Sequence, residues 1–321
     1  MVTDVPGRIE AALPWQPLPV PPDVPHGDMP GDKVRIGPSH VAKANAIFPA
    51  LAEELLPVLR ENQSSRAVIA VAGGSGVGKS EIASVLSYLL RSTGVGSYTL
   101  SGDNYVRRIP EQNDAERLRL FREQGLGGLI ASGGYSPDRA EALRELQRAD
   151  LDADPARATE SWLRTYQHAG RRGLKGYLGT PAEADFELLS NVVAQFKNGA
   201  GSIFLRRMGR APADLWYESV DLADTSVLVI EWTHGNNDFL RGVDVPVFLD
   251  STPAETLEHR RARNRDGAID SPFTTTVLGI EQELLAAQAG KAKVVLSMAG
   301  ELLSRSDLRR PSAERWGDVD A

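Results

Sequence analysis

Between positions 73 and 80 the sequence reads Gly73-Gly74-Ser75-Gly76-Val77-Gly78-Lys79-Ser80, which fits the pattern G-x-x-x-x-G-K-[ST]. This pattern is typical of a phosphate-binding loop, because its glycines let backbone N–H groups curl around phosphate oxygens. Lys79 is expected to reach the β- and γ-phosphates, and Ser80 is expected to offer its hydroxyl to Mg²⁺. The candidate nucleotide-binding residues are therefore Gly74, Ser75, Gly76, Val77, Gly78, Lys79 and Ser80.

The segments on either side of this loop predict a strand before it and a helix after it. Residues 67–72 are all Ala, Val or Ile, as expected for a strand that is buried on both faces of a parallel sheet. After the loop, apolar residues recur at helical spacing up to Gly94. This order predicts the α/β fold of P-loop NTPases, in which helices cover both faces of a parallel sheet in a three-layer α/β/α arrangement.

The composition favours a globular enzyme of the cytoplasm. The 321 residues carry a net charge of −7, which argues against a general nucleic-acid-binding surface. The absence of cysteine excludes disulfides, thiolate metal sites and cysteine nucleophiles. No run is long and apolar enough to cross a bilayer, and the N-terminus lacks a signal-peptide pattern, so we expect a cytoplasmic protein that has no membrane partner. The expected partners are a small-molecule substrate and, as an open alternative, a second copy of the chain in a homodimer.

Proline content divides the chain into an arm and a larger domain. Residues 1–39 are rich in proline, which predicts an extended or polyproline-like arm that has little helix or sheet. Within it, Trp15 and Leu18 are expected to lie in solvent rather than to anchor the arm. Residues 40–321 are predicted to form the P-loop domain, which includes a helical insertion at 107–180.

Two acidic residues follow strand-like segments and are candidates for catalysis. Asp103 comes after residues 97–100, and Glu231 closes the apolar run at residues 226–230. The carboxyl ends of parallel strands meet at the edge where ligands bind, so both carboxylates are expected near the phosphates. Asp103 can take a proton from an attacking hydroxyl or hold Mg²⁺ through water, although an Asp-Asn pair also suits a simple turn. Glu231 resembles the Walker B acid, which makes Ser80, Asp103 and Glu231 the candidate metal ligands.

Clusters of cations outside the loop are candidates for binding anions. Residues 171–177 mix cations with glycines that permit close approach to a ligand, although a solvated charged turn explains them equally well. Residues 206–210 carry three arginines. Residues 260–265 carry four, which are expected to form a mobile lid over ATP, although cations at a helix C-terminus are favourable in any case.

The expected acceptor-binding residues come from these clusters and from loops at strand ends. They are Asp103, Asn104, Tyr105, Arg107, Arg172, Lys175, Tyr177, Asp185, Arg207, His234 and Asn236. The basic character of the set suggests that the acceptor carries an anionic group.

In their order along the chain, these segments resemble the uridine kinase and phosphoribulokinase group of P-loop small-molecule kinases. That group has an acid in a D-x-Y segment, an Asp-Phe pair on a helix, an Ile-Glu pair that closes a strand, and an R-x-x-x-R-D lid. The corresponding residues are Asp103 with Tyr105, Asp185 with Phe186, Ile230 with Glu231, and Arg261 and Arg265 with Asp266. The resemblance implies that Asp103 is the general base on the acceptor hydroxyl, that Glu231 supports the metal, and that the two lid arginines close over ATP.

Other segments resemble the adenylylsulfate kinases. Their L-x-G-D-N segment is similar to residues 100–104, the Asp-x-x-Pro segment that ends one of their strands is similar to residues 250–253, and a Phe-Thr pair follows the lid, as at Phe273 and Thr274. An adenylylsulfate kinase is therefore one alternative for the function. From a different class, a nucleotide-gated regulator or scaffold is another.

Together, the residues and resemblances predict an ATP-dependent kinase that uses Mg²⁺. It would transfer the γ-phosphoryl group to a hydroxyl of a small sugar-like or nucleoside-like metabolite. The candidate catalytic residues are Lys79, Asp103, Glu231, Arg261 and Arg265.

Overall fold

The computed structural model describes residues 4–21, 23–32, 34–211, 213–263 and 271–304. In chain order, the strands of this part are β1 (Ala67–Gly73), β2 (Ser97–Ser101), β3 (Ser202–Met208), β4 (Leu215–Asp221), β5 (Val227–Glu231), β6 (Val245–Leu249) and β7 (Val294–Leu296). Five strands form a parallel sheet in the order β2, β5, β1, β6, β7, while β3 and β4 form a separate antiparallel hairpin. The strand that precedes the phosphate loop, β1, thus lies at the centre of the parallel sheet that was predicted.

The helices, in the same order, are α1 (Val5–Ala11), α2 (Pro38–Glu61), α3 (Lys79–Ser92), α4 (Pro110–Ala131), α5 (Pro137–Arg148), α6 (Ser161–Lys175), α7 (Phe186–Lys197), α8 (Leu257–Arg263) and α9 (Pro272–Gln288). Over the described residues, none of these helices is both long and apolar enough to span a membrane.

Helices cover both faces of the sheet, so the predicted three-layer arrangement is confirmed. Side chains of β1 alternate between the faces, because successive residues of a strand point in opposite directions. Ile69 and Val71 join the core beneath α1, α2 and α3. Val68 joins the opposite core, which α7 and β3 cover. Every residue of β1 is buried, which explains why its sequence is uniformly apolar.

The proline-rich arm packs against the body of the protein. The Trp15 ring lies 4.1 Å from the Phe48 ring between centroids, and its Nε1 donates to Asn45 Oδ1 at 3.1 Å. The Leu18 backbone N–H donates to the same oxygen at 3.0 Å. The expectation that Trp15 and Leu18 lie in solvent was therefore wrong.

The arm also contains more helix than its prolines indicated, because α1 lies within it. The carboxylate of Asp4 caps this helix by accepting a hydrogen bond from the Gly7 N–H at 3.0 Å. Pro6 lies in the first turn, where proline is compatible with a helix since that N–H needs no partner inside it.

The insertion consists of α4, α5 and α6, and its two ends lie side by side. Val106 forms an isolated bridge with Ala184, and the Arg107 N–H donates to the Glu183 carbonyl at 2.9 Å. The chain therefore leaves and rejoins the sheet domain at one place. Apolar side chains of the three helices form a shared core, which includes Phe121, Leu143, Trp162 and Tyr166.

Glycines line the crossing of α4 and α6. A methyl group at Gly170 would lie 2.7 Å from the Phe121 carbonyl oxygen, and one at Gly173 would lie 2.2 Å from the Gln124 side chain. These glycines allow α4 and α6 to pack closely, whereas the sequence suggested that glycines here would allow a ligand to approach the backbone. Most of the segment 171–177, considered above as a ligand loop or a charged turn, is instead the last turn of α6.

The strand β4 was not predicted from the sequence. Nearly all of its residues are exposed, so it has neither the uniform apolar run of a buried strand nor a clear alternation of apolar and polar residues. Its pairing with β3 places Arg207 opposite Trp216 and carries the chain back toward β5.

Candidate active site

A cleft of about 280 Å³ lies at the carboxyl edge of the sheet. Strand order explains its position, because the segments that follow β1, β2 and β5 all meet at this edge. Residues around the phosphate-binding loop that line it are Ser75, Gly76, Lys79, Ser80, Glu231 and Arg260. Residues from other parts of the chain that line it include Met29, Asp32, Arg108, Asn113, Asp114, Arg117 and Arg210.

The phosphate loop is shaped by its glycine backbone. Gly78 has a φ of 95°, a left-handed conformation that favours glycine, and it is the N-cap of α3. The Lys79 Nζ donates to the Gly74 carbonyl at 3.0 Å, which keeps the cation over the loop. The N-terminus of α3 adds the positive end of its dipole, so backbone and side chain both favour an anion here.

Ser80 and Glu231 form the centre of the candidate metal site. The Ser80 hydroxyl donates to Glu231 Oε2 at 3.0 Å, and strand register places Glu231 directly beside Ser101 of β2. Burial, together with the nearby Asp103 carboxylate, raises the pKa of Glu231 to about 8. The charged form of Glu231 is therefore disfavoured beside Asp103, and a bound cation would favour it again.

The donor set of this site fits Mg²⁺. Hydroxyl and carboxylate oxygens are the ligands that Mg²⁺ prefers, and it is usually held by one or two carboxylates while phosphates and waters complete its shell. In the described part of the chain, no group of three or more His, Cys, Asp or Glu side chains could hold a metal unaided. A hydroxyl and one or two carboxylates suit a metal whose remaining ligands are nucleotide phosphates and waters.

Asp103 stands on a single 3-10 turn, Gly102–Tyr105, directly after β2. A methyl group at Gly102 would lie 2.1 Å from the Trp232 ring, so the turn packs closely on this buried indole. Trp232 is in turn packed on Phe186, at 4.9 Å between ring centroids. The Asp103 side chain is exposed at the cleft, so a fixed turn presents a carboxylate beside the metal site.

Arg260, rather than Arg261, is the arginine of α8 that lines the cleft. Arg260 is buried, and its Cγ lies 2.7 Å from where a methyl group at Gly76 would be. Arg261 is exposed and is not among the described residues that line the cleft, because consecutive side chains on a helix point about 100° apart. Arg265 and Asp266, the other predicted lid residues, lie outside the described residues.

Arg207 and Asn104 contact the arm instead of the cleft. Arg207 donates from one terminal guanidinium nitrogen to Asp28 Oδ2 at 2.9 Å, and Asn104 donates to Asp28 Oδ1 at 3.1 Å. Asp28 also accepts from the Ser101 N–H at 2.7 Å and from the Tyr98 hydroxyl at 3.0 Å. We call Asp28 and these four partners the Asp28 clasp. Two of its members, Asn104 and Arg207, were predicted from the sequence as acceptor-binding residues.

A second buried cluster surrounds Glu183 and includes His234. Glu183 accepts hydrogen bonds from Arg117 at 2.6 and 2.9 Å and from Asn113 at 3.1 Å, and His234 Nε2 lies 3.6 Å from its Oε2. Burial opposes the charge of Glu183, but Arg117 and His234 outweigh this effect and lower its pKa. Burial lowers the pKa of His234. His234 therefore supports the wall that carries Arg117, and it is not itself a lining residue of the described cleft.

Arg107 and Asp185 make local structural contacts. The Arg107 Nε donates to the Pro181 carbonyl at 2.6 Å, and the Asp185 side chain caps α7 by accepting from the Leu188 N–H at 3.1 Å. The residue that follows, Arg108, lines the cleft instead of Arg107.

The cations of α6 do not reach the cleft. Lys175 donates to Glu283 of α9 at 2.9 Å, and Arg172 is exposed. Tyr177 is buried behind the cleft wall, where its hydroxyl donates to Asn113 at 2.8 Å. Arg172, Lys175 and Tyr177, predicted as acceptor-binding residues, thus do not line the described cleft. For Arg172 and Lys175 the reason is that helix α6 continues through the stretch where a loop was considered.

Tyr105 and Asn236 are also buried and do not line the described cleft. Tyr105 faces the core beneath α7, where burial raises the pKa of its hydroxyl. Asn236 lies in the loop after β5, whereas Thr233 of that loop does reach the cleft.

The sequence did not identify Met29 and Asp32 of the arm or Asn113 and Arg117 of α4 as cleft residues. Asn113 and Arg117 are four residues apart, so a helix places them on one face, and this polar pair could have been noticed. Nothing in the arm's composition pointed to the sheet edge.

The sequence is 38% identical over 241 residues to the bifunctional alpha-galactosidase/sucrose kinase AgaSK of Mediterraneibacter gnavus. The match covers 75% of this chain and 21% of that protein, so this chain spans about a fifth of the length of its relative. No protein-family model matches the chain.

Two solved structures are similar in fold. A candidate fructose transport system kinase from Silicibacter sp. TM1040 is 16% identical, with a TM-score of 0.45, over 74% of this chain and 93% of that chain. The D-glycerate 3-kinase from Cryptococcus neoformans is 12% identical, with a TM-score of 0.41, over 80% of this chain and 97% of that chain. The resemblance to the group of P-loop small-molecule kinases is confirmed by the sequence relative, which is named in part for a sucrose kinase.

Proposed function

We propose that this chain is an ATP-dependent kinase that transfers the γ-phosphoryl group to a hydroxyl of a small sugar. One observation carries the proposal: the phosphate loop, the Ser80–Glu231 pair and Asp103 all face a single cleft. An alcohol that receives a phosphoryl group must lose its proton, and Asp103 is a carboxylate beside the metal site that can accept it.

The proposed reaction is a direct displacement. The sugar hydroxyl oxygen attacks the γ-phosphorus, the bond from that phosphorus to the β–γ bridging oxygen breaks, and ADP leaves. The hydroxyl proton passes to the Asp103 carboxylate. Because the transition state of such transfers is loose, positioning and neutralisation of charge supply most of the acceleration.

Charge neutralisation comes from residues on the nucleotide side of the cleft. Lys79 and Arg260 place cations at the phosphate loop. Mg²⁺, held by Ser80 and Glu231 when bound, would add positive charge at the phosphate oxygens. Burial of Glu231 strengthens these interactions, because charges interact more strongly away from water.

The similarity to a bifunctional protein suggests the acceptor. That relative is named for two activities, and a phosphate loop suits the kinase rather than the galactosidase, since glycoside hydrolysis uses a pair of carboxylates and no nucleotide. Sucrose, the kinase substrate in that name, is therefore the first acceptor that we propose. The homodimer and the cytoplasmic location expected from the sequence remain predictions.

The proposal is tested by incubating the protein with Mg²⁺-ATP and a panel of sucrose, glucose, fructose, galactose, uridine and adenylylsulfate. ADP release is followed by a coupled assay, and the products are identified by mass spectrometry. We expect a phosphorylated sugar from the wild-type chain and none from Lys79→Ala, which lacks the cation of the phosphate loop. Phosphorylation of adenylylsulfate or uridine alone would replace the sugar assignment, and ADP release that is independent of every acceptor would contradict a kinase.

A further inference from the structure

The walls of the cleft come from two different parts of the chain. Residues of the P-loop domain line the cleft together with Met29 and Asp32 of the arm and with Asp114 and Arg117 of α4. Nothing in the chemistry of phosphate binding requires the arm, because the phosphate loop and the metal site are complete without it. The arm therefore brings to this cleft residues that the nucleotide chemistry does not call for.

The arm is fixed at this position by the Asp28 clasp. The Asp28 and Arg207 side chains are 8% and 5% exposed, and the bonds to Asp28 come from β2, from the 3-10 turn that carries Asp103, and from β3. A buried carboxylate that is held by several donors fixes the backbone around it. Met29 follows Asp28 directly, so its place in the cleft wall is fixed by the same contacts.

The arm also passes close to the reacting groups. A methyl group at Gly27 would lie 3.8 Å from Glu231 Oε1, in van der Waals contact with the metal site. The segment from Gly27 to Asp32 thus runs from beside Glu231 to the outer part of the cleft. A molecule that reaches Asp103 with one hydroxyl would contact this segment with its remaining atoms.

The residues at this wall suit a neutral, polyhydroxylated ligand. The Asp32 and Asp114 carboxylates have several acceptor positions each, so they can receive hydroxyl hydrogen bonds in addition to the contacts they already make. Arg117 holds this wall in place, because it donates to Glu183, Glu281 and Asp114. Met29 offers apolar surface that can pack on the C–H groups of a sugar ring. Arg108 and Arg210 line the cleft together with the two acids, so the lining offers donors as well as acceptors to a polyhydroxylated ligand.

We infer, resting on the proposed kinase function, that residues 27–32 form one wall of the acceptor site and that Asp32 and Met29 bind the sugar. Asp28 is a positioning residue that acts through the arm backbone. The acceptor site would then lie between the arm and α4, and the proline-rich segment would belong to the enzyme's binding machinery.

The test compares steady-state kinetics of the full-length wild type, Asp32→Asn, Met29→Ala and Asp23→Asn, with sucrose and ATP varied in turn. Asp23 lies on the same arm, is exposed and is outside the cleft lining, so Asp23→Asn is a matched control for the loss of a carboxylate. Point substitutions are used because removing the arm would uncover the apolar surface beneath Trp15.

We expect Asp32→Asn to raise the KM for sucrose by about tenfold or more, as for the loss of a hydrogen bond to a charged group, while the KM for ATP stays within about twofold. Met29→Ala should raise the KM for sucrose about threefold, and Asp23→Asn should leave both values unchanged. Equal effects on both substrates, or no effect of either cleft substitution on the KM for sucrose, would overturn the inference. If the wild type phosphorylates no sugar at all, both the kinase proposal and this inference fall.

Discussion

At the scale of single residues, the site depends on two carboxylates that have different surroundings. Glu231 is buried beside Ser80, whereas Asp103 is exposed on the surface of the cleft. The buried acid is suited to share a cation with the nucleotide, and the exposed acid is suited to contact a substrate that enters from solvent. Substitution of Glu231 is therefore expected to affect metal and nucleotide binding, and substitution of Asp103 is expected to affect transfer to the acceptor.

Asp103→Asn should reduce kcat while leaving nucleotide binding intact. The amide keeps the size of the side chain but cannot accept the hydroxyl proton, and loss of a general base costs about 10²–10⁴-fold in rate. The dissociation constant for ATP, measured by equilibrium titration, should stay within about threefold of the wild-type value. A kcat within threefold of wild type would show that Asp103 is not the base.

His234 should make stability depend on pH. Burial lowers its pKa in the folded state below 6.5, so the unfolded chain binds a proton first as the pH falls. The free energy of unfolding therefore decreases as the pH drops below about 6.5, and the lost stability returns as the pH rises again.

Urea denaturation of the wild type and of His234→Gln at several pH values between 5 and 7.5 measures this effect. Glu231 has the opposite effect on stability in this pH range, because its pKa is raised to about 8 in the folded state. Both proteins contain Glu231, so the difference between their free energies of unfolding isolates the effect of His234. We expect the wild type to lose more stability on acidification than His234→Gln does. Parallel pH profiles for the two proteins would mean that His234 is protonated equally in both states.

At the scale of elements, the crossing of α4 and α6 depends on the absence of side chains at its glycines. Gly170→Ala places a methyl group 2.7 Å from the Phe121 carbonyl oxygen, so the helices must separate. Overpacking of this kind typically costs about 1–3 kcal/mol. The urea midpoint should fall accordingly.

Gly127→Ala is a matched control on α4. Nothing lies within 4 Å of a methyl group at that position, so the substitution should stabilise the helix by up to about 1 kcal/mol through helix propensity alone. If Gly170→Ala were as stable as Gly127→Ala, the close contact of α4 and α6 would not exist in solution.

Elements that are uniformly apolar could be predicted from the sequence, and those that depend on distant partners could not. β1 and β5 are buried on both faces, so nearly all of their residues are apolar and the strands can be recognised in the sequence. In contrast, β4 is exposed and is defined only by its pairing with β3. The role of the glycines in α6 could not be read from the sequence either, because the residues that they pack against lie on α4.

The candidate site was predictable where chemistry is local in sequence. The phosphate loop, Asp103 and Glu231 each follow a recognisable strand, and all three reach the cleft. Arg260 and Arg108 line it where Arg261 and Arg107 were predicted, because a shift of one position changes the direction of a side chain. Patterns in sequence identify the segment more reliably than the side chain that faces the ligand.

At the scale of the whole molecule, the contacts between the described arm and the sheet domain include two ion pairs that differ in burial. Asp28 and Arg207 are buried, whereas Glu10 and Arg60 are about half exposed. Removing one partner of a buried pair typically costs about 3–5 kcal/mol, although here Arg207 would keep the half-exposed Glu218 as an acidic partner at 2.8 Å. An exposed pair contributes about 0–1 kcal/mol.

Asp28→Ala should therefore destabilise the protein by several times as much as Glu10→Ala, with a cost of about 3–5 kcal/mol against at most about 1. Both free energies of unfolding are obtained from urea titrations at neutral pH. A loss at Asp28 no larger than that at Glu10 would mean that the clasp does not hold the arm in solution.

The sequence could not place the arm, because its proline content describes local backbone and not the surface it meets. Asp28 is one of several acids in the first 39 residues, and its partners lie about 70 to 180 positions away. Only the folded chain shows that this acid is buried among donors. The arm is accordingly the largest difference between the predicted and the observed organisation.

The central proposal is tested most directly by following the γ-phosphate itself. The wild-type protein is incubated with Mg²⁺, sucrose and ATP that carries a radioactive γ-phosphoryl group, and labelled sugar phosphate, inorganic phosphate and ADP are quantified at successive times. We expect the label in sugar phosphate to equal the ADP formed, and to disappear in Lys79→Ala. Label that accumulates only in inorganic phosphate, at a rate unchanged by any sugar of the panel, would contradict a kinase and favour a nucleotide-hydrolysing regulator.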